Sequence, residues 1–412
     1  MTAEPLKSHI TEAWATGTKR QTQTAQLLES SVANTYSRFP VTLVRGKGCK
    51  VWDDNGKEYL DFAAGIAVCS LGHCHPAVTE AIAQQARTLV HVSNLYWTIP
   101  QLEVAHLLTE NSFADRAFFC NSGAESVEGA LKLARRYGHQ NRGPDCYEVI
   151  CLEGSFHGRT LATIAATGQP VFQHGFEPMP SGFIHVPLNS MNALKLAAGS
   201  RTAAILIEPI QGEGGVRPVS NEFLLAAREI CDRLGALLIF DEVQAGMGRT
   251  GTLFAYEQTP VVPDVMCLAK ALGNGFPIGV MLAKNDVMSH LPPGSHASTF
   301  GGNPVACAAA KVVIEILKSP GFLDTVKEKG TYLKAGLEAM AARHSEAILE
   351  VRGRGLIQAI EFRKPVPELA NKLMEDGFLV LLSQKKILRL VPPLIVTKAE
   401  IDAMLVAIES SI

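Results

Sequence analysis

Six short apolar runs, RAFFC, YEVICL, AAILIEP, GALLIFDE, VMCLA and IGVMLA, recur between residues 116 and 283. Each is rich in Val, Ile, Leu or Phe and lacks the polar alternation of a strand with one wet face, so each needs cover on both sides. The segments between them have helical periodicity. ESVEGALKLARRYG carries an apolar stripe and is expected to stop at Gly138, and NEFLLAAREICDRLG is expected to stop at Gly235. Doubly covered strands separated by helices predict an α/β fold with a largely parallel sheet.

The two ends of the chain read differently. VTLVRGKGCKVWDDNGKEYLDF alternates around a DNG turn, which predicts a small antiparallel element. After Pro304 come the helical CAAAKVVIEILK and FLDTVKEKGTYLKAGLEAMAARH, then EVRGRGLIQAIEF, FLVLLS, ILRLVPP and a last helix, which read as a smaller α+β lobe. These shifts divide the chain into residues 1–75, 76–305 and 306–412.

Charge excludes some partners. The 38 basic and 40 acidic side chains nearly cancel, and no basic tract exists to track a phosphate backbone or an anionic membrane surface. No apolar run is long enough for a membrane span. The first thirty residues lack an apolar leader core, and their Lys7, Lys19 and Arg20 are matched by Glu4, Glu12 and Glu29, against a secretory or organellar leader. Nine singly spaced cysteines with no CxxC pair fit reduced thiols in a cytoplasmic protein.

In open α/β sheets ligands sit beyond the carboxyl ends of strands, so residues just after each run are the candidates. After RAFFC come Asn121, Ser122, Gly123 and Ala124, which open a helix; small residues there let N–H groups face an anion such as phosphate. The alternative is an ordinary serine cap. GALLIF ends in Asp241-Glu242-Val243-Gln244, where a buried carboxylate requires a cationic partner. Asp241 and Glu242 point to opposite faces and do not naturally share a metal. Lys270 sits inside the apolar, glycine-rich CLAKALGNGFPIGV. Desolvation would lower its pKa and make it a nucleophilic amine suited to a Schiff base, unless the head snorkels to water. After YEVICL, Phe156, His157 and Arg159 place an aromatic ring and a guanidinium side by side. An anion cup, a buried acid, an aromatic plate and a desolvated lysine together match the needs of pyridoxal 5'-phosphate (PLP).

The stretches NSGAESVEGALKLAR, SFHGRT, IEPIQGEGGV, FDEVQAGMGRTGTLFA, LAKALGNGFPIG and STFGGNP resemble the class III PLP-dependent aminotransferases of fold type I. ANTYSRFPVTLVRGKG, FAAGIAVCSLGHCHP and HVSNLYWTIPQ are similar to the acetylornithine branch, and the likeness runs from about residue 34 to the end. It implies a large domain with a mostly parallel sheet, and a small α+β domain built from both chain ends. It further implies that Lys270 captures the cofactor aldehyde and moves the proton, and that Asp241 pairs with the ring nitrogen. Gln244 meets the ring hydroxyl, Val243 and Phe156 cover the two ring faces, and Ser122, Gly123 and Ala124 hold the phosphate. In this family the threonine matching Thr299 reaches the neighbouring subunit's phosphate, with Ser298 beside it near substrate, so a homodimer with interfacial sites is implied.

For substrate, the resemblance makes Arg159 a carboxylate clamp. Glu213 and Arg389 become a gating pair that opens so that Arg389 can take the second carboxylate of 2-oxoglutarate. Tyr36 matches a substrate-side tyrosine. Ile66 stands where ornithine δ-aminotransferases carry another tyrosine, which counts against free ornithine. The expected reaction moves the terminal amino group of N2-acetyl-L-ornithine to 2-oxoglutarate, giving N-acetylglutamate 5-semialdehyde and glutamate in arginine biosynthesis. N-Succinyl-diaminopimelate, succinylornithine or 4-aminobutyrate as donor, a PLP aminomutase, and a silent binding protein on this fold stand as alternatives. Two lures are read as structural: Gly72-His73-Cys74-His75 is a turn before a helix starting at Pro76, and GMGRTG lacks the lysine-serine end of a P-loop.

Overall fold

The computed structural model describes residues 31–412; the expectation about a leader concerns the first thirty and lies outside the described residues. All six apolar runs enter one seven-stranded sheet, in the order Arg116–Cys120, Gly279–Ala283, Val265–Leu268, Leu237–Asp241, Thr202–Ile207, Glu148–Leu152 and Phe183–Val186. Gly279–Ala283 is antiparallel to both neighbours, and every other pairing is parallel. The edge strand Phe183–Val186 is absent from the six runs. Its FIHV is only half-buried for three of four residues, so it lacks the long apolar signature of the inner strands.

Alternation along the strands builds two cores. Leu237 and Ile239 pack on one face with Val127, Leu131 and Leu133 of the helix Gly123–Arg142. Leu238 and Phe240 pack on the other with Phe223, Ala227 and Ile230 of the helix Asn221–Leu234. Both faces are therefore dry, as runs without polar alternation require. Gly235 ends its helix in the left-handed conformation, at φ 65°. Gly138 does not stop its helix, which continues to Arg142. It is buried, and a Cβ there would lie 2.5 Å from the Cys146 carbonyl oxygen, so glycine serves close packing at that position.

The chain ends meet in space. The strands Leu43–Lys47, Lys50–Asp53 and Glu58–Asp61 form an antiparallel meander around the DNG turn, and Phe378–Leu379 adds a fourth strand parallel to Glu58–Asp61. A second antiparallel sheet joins Ile348–Arg354, Ile357–Phe362, Ile387–Leu390 and Leu381–Ser383. It places Arg389 over the loop that follows Thr202–Ile207. Among the described residues no helix is long and apolar enough to cross a membrane.

Candidate active site

The carboxyl ends of the parallel strands converge on a cavity of about 390 Å³. Ser122, Gly123, Ala124, Phe156, Arg159, Glu213, Asp241, Val243, Gln244 and Lys270 all line it. Strand parity explains the acid. Asp241 follows Leu237 and Ile239 in facing the Gly123–Arg142 helix, whereas Glu242 turns away and accepts from the Ala255 and Tyr256 N–H groups at 2.5 and 2.7 Å. Burial pushes the Glu242 carboxyl up to about 8, against those two donors. The two acids therefore do not face one ion.

Asp241 is buried and held at both oxygens. The Val243 N–H donates to Oδ1 at 3.0 Å, and the His157 imidazole donates from Nδ1 to Oδ2 at 2.8 Å. Lys270 faces it from a 3₁₀ turn, Lys270–Gly273, that opens with Lys270 at φ 46°. A left-handed lysine stores about 1–3 kcal/mol of strain, which the surroundings must hold. Asn274 braces the turn: its Oδ1 accepts from Leu71 N–H at 2.7 Å, and its Nδ2 donates to the Gly72 carbonyl at 3.0 Å. Burial lowers the Lys270 pKa, and the charges of Asp241 and Glu208 resist the shift. Its Nζ has no hydrogen bond or ion pair among the described residues, which suits a group meant for a ligand carbonyl.

The anion end is built by the helix start. Ser122 Oγ accepts from the Glu125 N–H at 3.2 Å, and the Glu125 carboxylate returns to the Asn121 N–H at 2.8 Å, so the serine is indeed a cap. The cap leaves other first-turn N–H groups to the cavity, because an α-helix supplies them no internal acceptor. Gly123 is needed here: a Cβ would meet Val243 Cγ1 at 2.7 Å.

Next to Glu213 of the lining, Arg389 Nη2 pairs with Glu213 Oε2 at 2.8 Å while Nη1 donates to the Gly212 carbonyl at 3.0 Å. Arg389 is 4% exposed. Arg159, in contrast, has no anionic partner among the described residues and lies over the rings of Phe172 and Phe156.

Two residues with no role read from the sequence belong to this site. His157 is the direct partner of Asp241. Glu208 accepts from the Phe156 N–H at 2.8 Å and the Gly212 N–H at 3.1 Å, tying the backbone of Phe156 to the loop that carries Glu213. Burial pushes its carboxyl up to about 7, against the opposing pull of His157. Glu208 directly follows the run AAILI, so the strand-end rule reaches it; for His157 the sequence gives only adjacency to Phe156.

Four expected residues do not line this cavity: Arg389, which meets it through its pair with Glu213, and Ser298, Thr299 and Tyr36. Ser298 and Thr299 line a second one of about 670 Å³ with Leu95, Trp97 and Phe118, although Asn121 Nδ2 donates to Ser298 Oγ at 3.2 Å. Tyr36 is 70% exposed in a separate hollow formed by residues 34–38. Ile66 lies in a left-handed turn, with Ala64, Gly65 and Ala67 also at positive φ. His73 is held by Asp61 at 2.7 Å and precedes the helix Pro76–Thr88, as the turn reading expects. In the glycine-rich loop, Arg249 is fully buried and donates to the carbonyls of Leu356 and Pro392 and to Ser70 Oγ.

The cavity residues fit PLP on structural grounds. Among the described residues Gln244 Oε1 is buried without a hydrogen-bond partner and the Lys270 amine has none, and a buried carboxylate and a helix start lie around the same space. Comparison with known proteins agrees. The family model "Aminotransferase class-III" matches residues 31–412. An acetylornithine aminotransferase of Caldanaerobacter subterraneus is 50% identical over 90% of this chain and 94% of its own length. One from Gloeobacter violaceus is 50% identical over 93% and 96%. An ornithine aminotransferase structure from Toxoplasma gondii, with PLP partly occupying its active site, superposes with a TM-score of 0.91 at 35% identity, covering 95% of this chain and 93% of that one.

Proposed function

The chain belongs to the class III aminotransferases, and from that premise we propose that it moves the terminal amino group of N2-acetyl-L-ornithine to 2-oxoglutarate. It is a PLP-dependent transaminase on the PLP fold type I architecture, and its substrates are an amino donor and a keto acid. The products are N-acetylglutamate 5-semialdehyde and glutamate, a step of arginine biosynthesis. The Glu213–Arg389 pair carries this reading. A buried guanidinium with a releasable carboxylate partner suits a site that takes a monocarboxylate donor and a dicarboxylate acceptor in turn.

Bound PLP supplies an electron sink for the carbanion formed at the amino-bearing carbon. Lys270 Nζ would hold the cofactor aldehyde and, once released from it, would carry the proton removed from the amino-bearing carbon. Asp241, oriented by His157 and the Val243 N–H, would meet the ring nitrogen and favour its protonated form. Val243 and Phe156 would cover the ring faces, Gln244 would meet the ring hydroxyl, and Ser122, Gly123 and Ala124 would hold the phosphate; all six line the one cavity. Arg159 takes the donor's carboxylate. In the donor half-reaction Glu213 neutralises Arg389; in the acceptor half-reaction it turns away and Arg389 takes the second carboxylate of 2-oxoglutarate.

The active unit is a homodimer, in which Thr299 and Ser298 serve the neighbouring site. The exposure of Leu95, Trp97 and Phe300 beside them supports this assembly, since such a patch on one surface marks an interaction site. The large cofactor-binding domain is assigned to residues 76–305 and the small one to residues 1–75 and 306–412; the pairing of Glu58–Asp61 with Phe378–Leu379 supports joining the ends. All nine cysteines are free, which favours a cytoplasmic location.

Steady-state assay of the purified holoenzyme tests the reaction. Glutamate should form from N-acetylornithine and 2-oxoglutarate with parallel double-reciprocal lines, and Lys270→Ala should lower kcat/KM by about 10⁴-fold or more. Intersecting lines, or no glutamate with any ω-amino donor, would refute it.

A further inference from the structure

Arg159 is an exposed guanidinium with no hydrogen bond and no ion pair among the described residues. What holds it is aromatic. Its Cζ lies 4.0 Å from the ring centre of Phe172 and 5.6 Å from that of Phe156, and the two rings meet edge to face at 5.7 Å and 87°. The backbone on either side is pinned. Gly158, at φ 137°, would place a Cβ 2.6 Å from Thr163 Oγ1, and Thr160 donates from Oγ1 to Glu128 at 2.5 Å.

Phe172 comes from the 3₁₀ turn Pro170–Phe172, which nothing in the cavity lining includes. That turn is itself tethered, because Gln173 Nε2 donates to the carbonyls of Ile164 and Thr167, both at 3.1 Å. The ring is therefore a fixed surface, and a guanidinium stacked on it keeps its N–H edge free for a planar anion. An arginine without such a surface must be ordered each time a carboxylate binds.

We propose that Phe172 is a positioning residue that holds Arg159 ready for the substrate α-carboxylate, and so biases the enzyme towards donors that carry one. The proposal rests on the reading of Arg159 as the carboxylate clamp. Losing the surface should weaken carboxylate binding about 3- to 10-fold, the cost of immobilising one long side chain.

The test uses the PLP-loaded enzyme with Phe172→Leu, Phe172→Met, Phe172→Tyr and Arg159→Ala. The donors are N-acetylornithine and N-acetylputrescine, the same molecule without its carboxylate. Two equilibrium readouts accompany the kinetics: the Kd of glutarate by calorimetry, and the Kd of PLP. Phe172→Leu is expected to raise the N-acetylornithine KM and the glutarate Kd about 3- to 10-fold, with kcat within about twofold. The N-acetylputrescine kinetics and the PLP Kd should not move, and Phe172→Tyr should restore the parent values. Phe172→Met keeps apolar volume without a ring face, so it reports the same loss if the leucine variant does not fold.

Three results would overturn the proposal. If Phe172→Leu and Phe172→Met change nothing while Arg159→Ala raises the N-acetylornithine KM, the clamp stands and the positioning role falls. Equal weakening of both donors, or a looser PLP, makes Phe172 a support for Phe156 or the fold instead. An unchanged N-acetylornithine KM in Arg159→Ala removes the clamp, and the proposal with it.

Discussion

Arg389 is buried at the end of a strand, and that burial decides what it can exchange. Its Nη1 stays on the Gly212 carbonyl, so departure of Glu213 leaves the guanidinium held but short of a counter-charge. A carboxylate arriving there is met by a preordered, partly desolvated cation, a contact worth more than one on the surface. Arg389→Ala should therefore slow the 2-oxoglutarate half-reaction about 100-fold while changing the N-acetylornithine half-reaction only a fewfold. Single-turnover measurement of each half-reaction separates the two, and equal slowing would count against the exchange. The same scale shows what sequence could and could not supply. Lys270 and Asp241 were legible because a charge at the end of an apolar run is costly enough to demand a partner. The His157–Asp241 pair was not, because 84 residues of chain separate the partners and only the fold brings them together.

Among the elements, the left-handed turn at residues 64–67 holds four consecutive residues at positive φ, and it leads into Val68, which lines the cavity. Asp61 braces its start by accepting the N–H groups of Ala63 and Ala64 at 2.9 and 2.8 Å on one oxygen, while His73 binds the other at 2.7 Å. The hydrogen bond with Asp61, with help from Cys69, raises the His73 pKa to about 10. A base whose folded-state pKa lies above its unfolded value of about 6.5 stabilises fully below that value and loses its contribution as pH rises towards about 10. Wild type should thus melt about 2 °C above His73→Gln at pH 6. That gap should close by pH 10, and a gap that widens with pH would contradict the pairing. Element boundaries also show the limits of pattern. Gly138 reads locally as a stop, yet the need to admit the Cys146 carbonyl overrides the helix signal. Phe183–Val186 escapes notice because an edge strand has only one neighbour and partial burial.

For the whole molecule, the fold class followed from the doubly apolar runs, since few architectures cover both faces of so many strands. Donor identity is a finer matter, set by shape and charge around one cavity. Relatives named acetylornithine aminotransferase share half of their residues with this chain, and the Toxoplasma ornithine enzyme about a third. That difference favours an acylated donor over the free amino acid. The most direct measurement is kcat/KM for N-acetylornithine, ornithine, N-succinyl-diaminopimelate, succinylornithine and 4-aminobutyrate, each against saturating 2-oxoglutarate. The account predicts N-acetylornithine highest, at least about tenfold above free ornithine, the ratio that roughly 1.4 kcal/mol of discrimination gives. Free ornithine or 4-aminobutyrate at or above N-acetylornithine would contradict it.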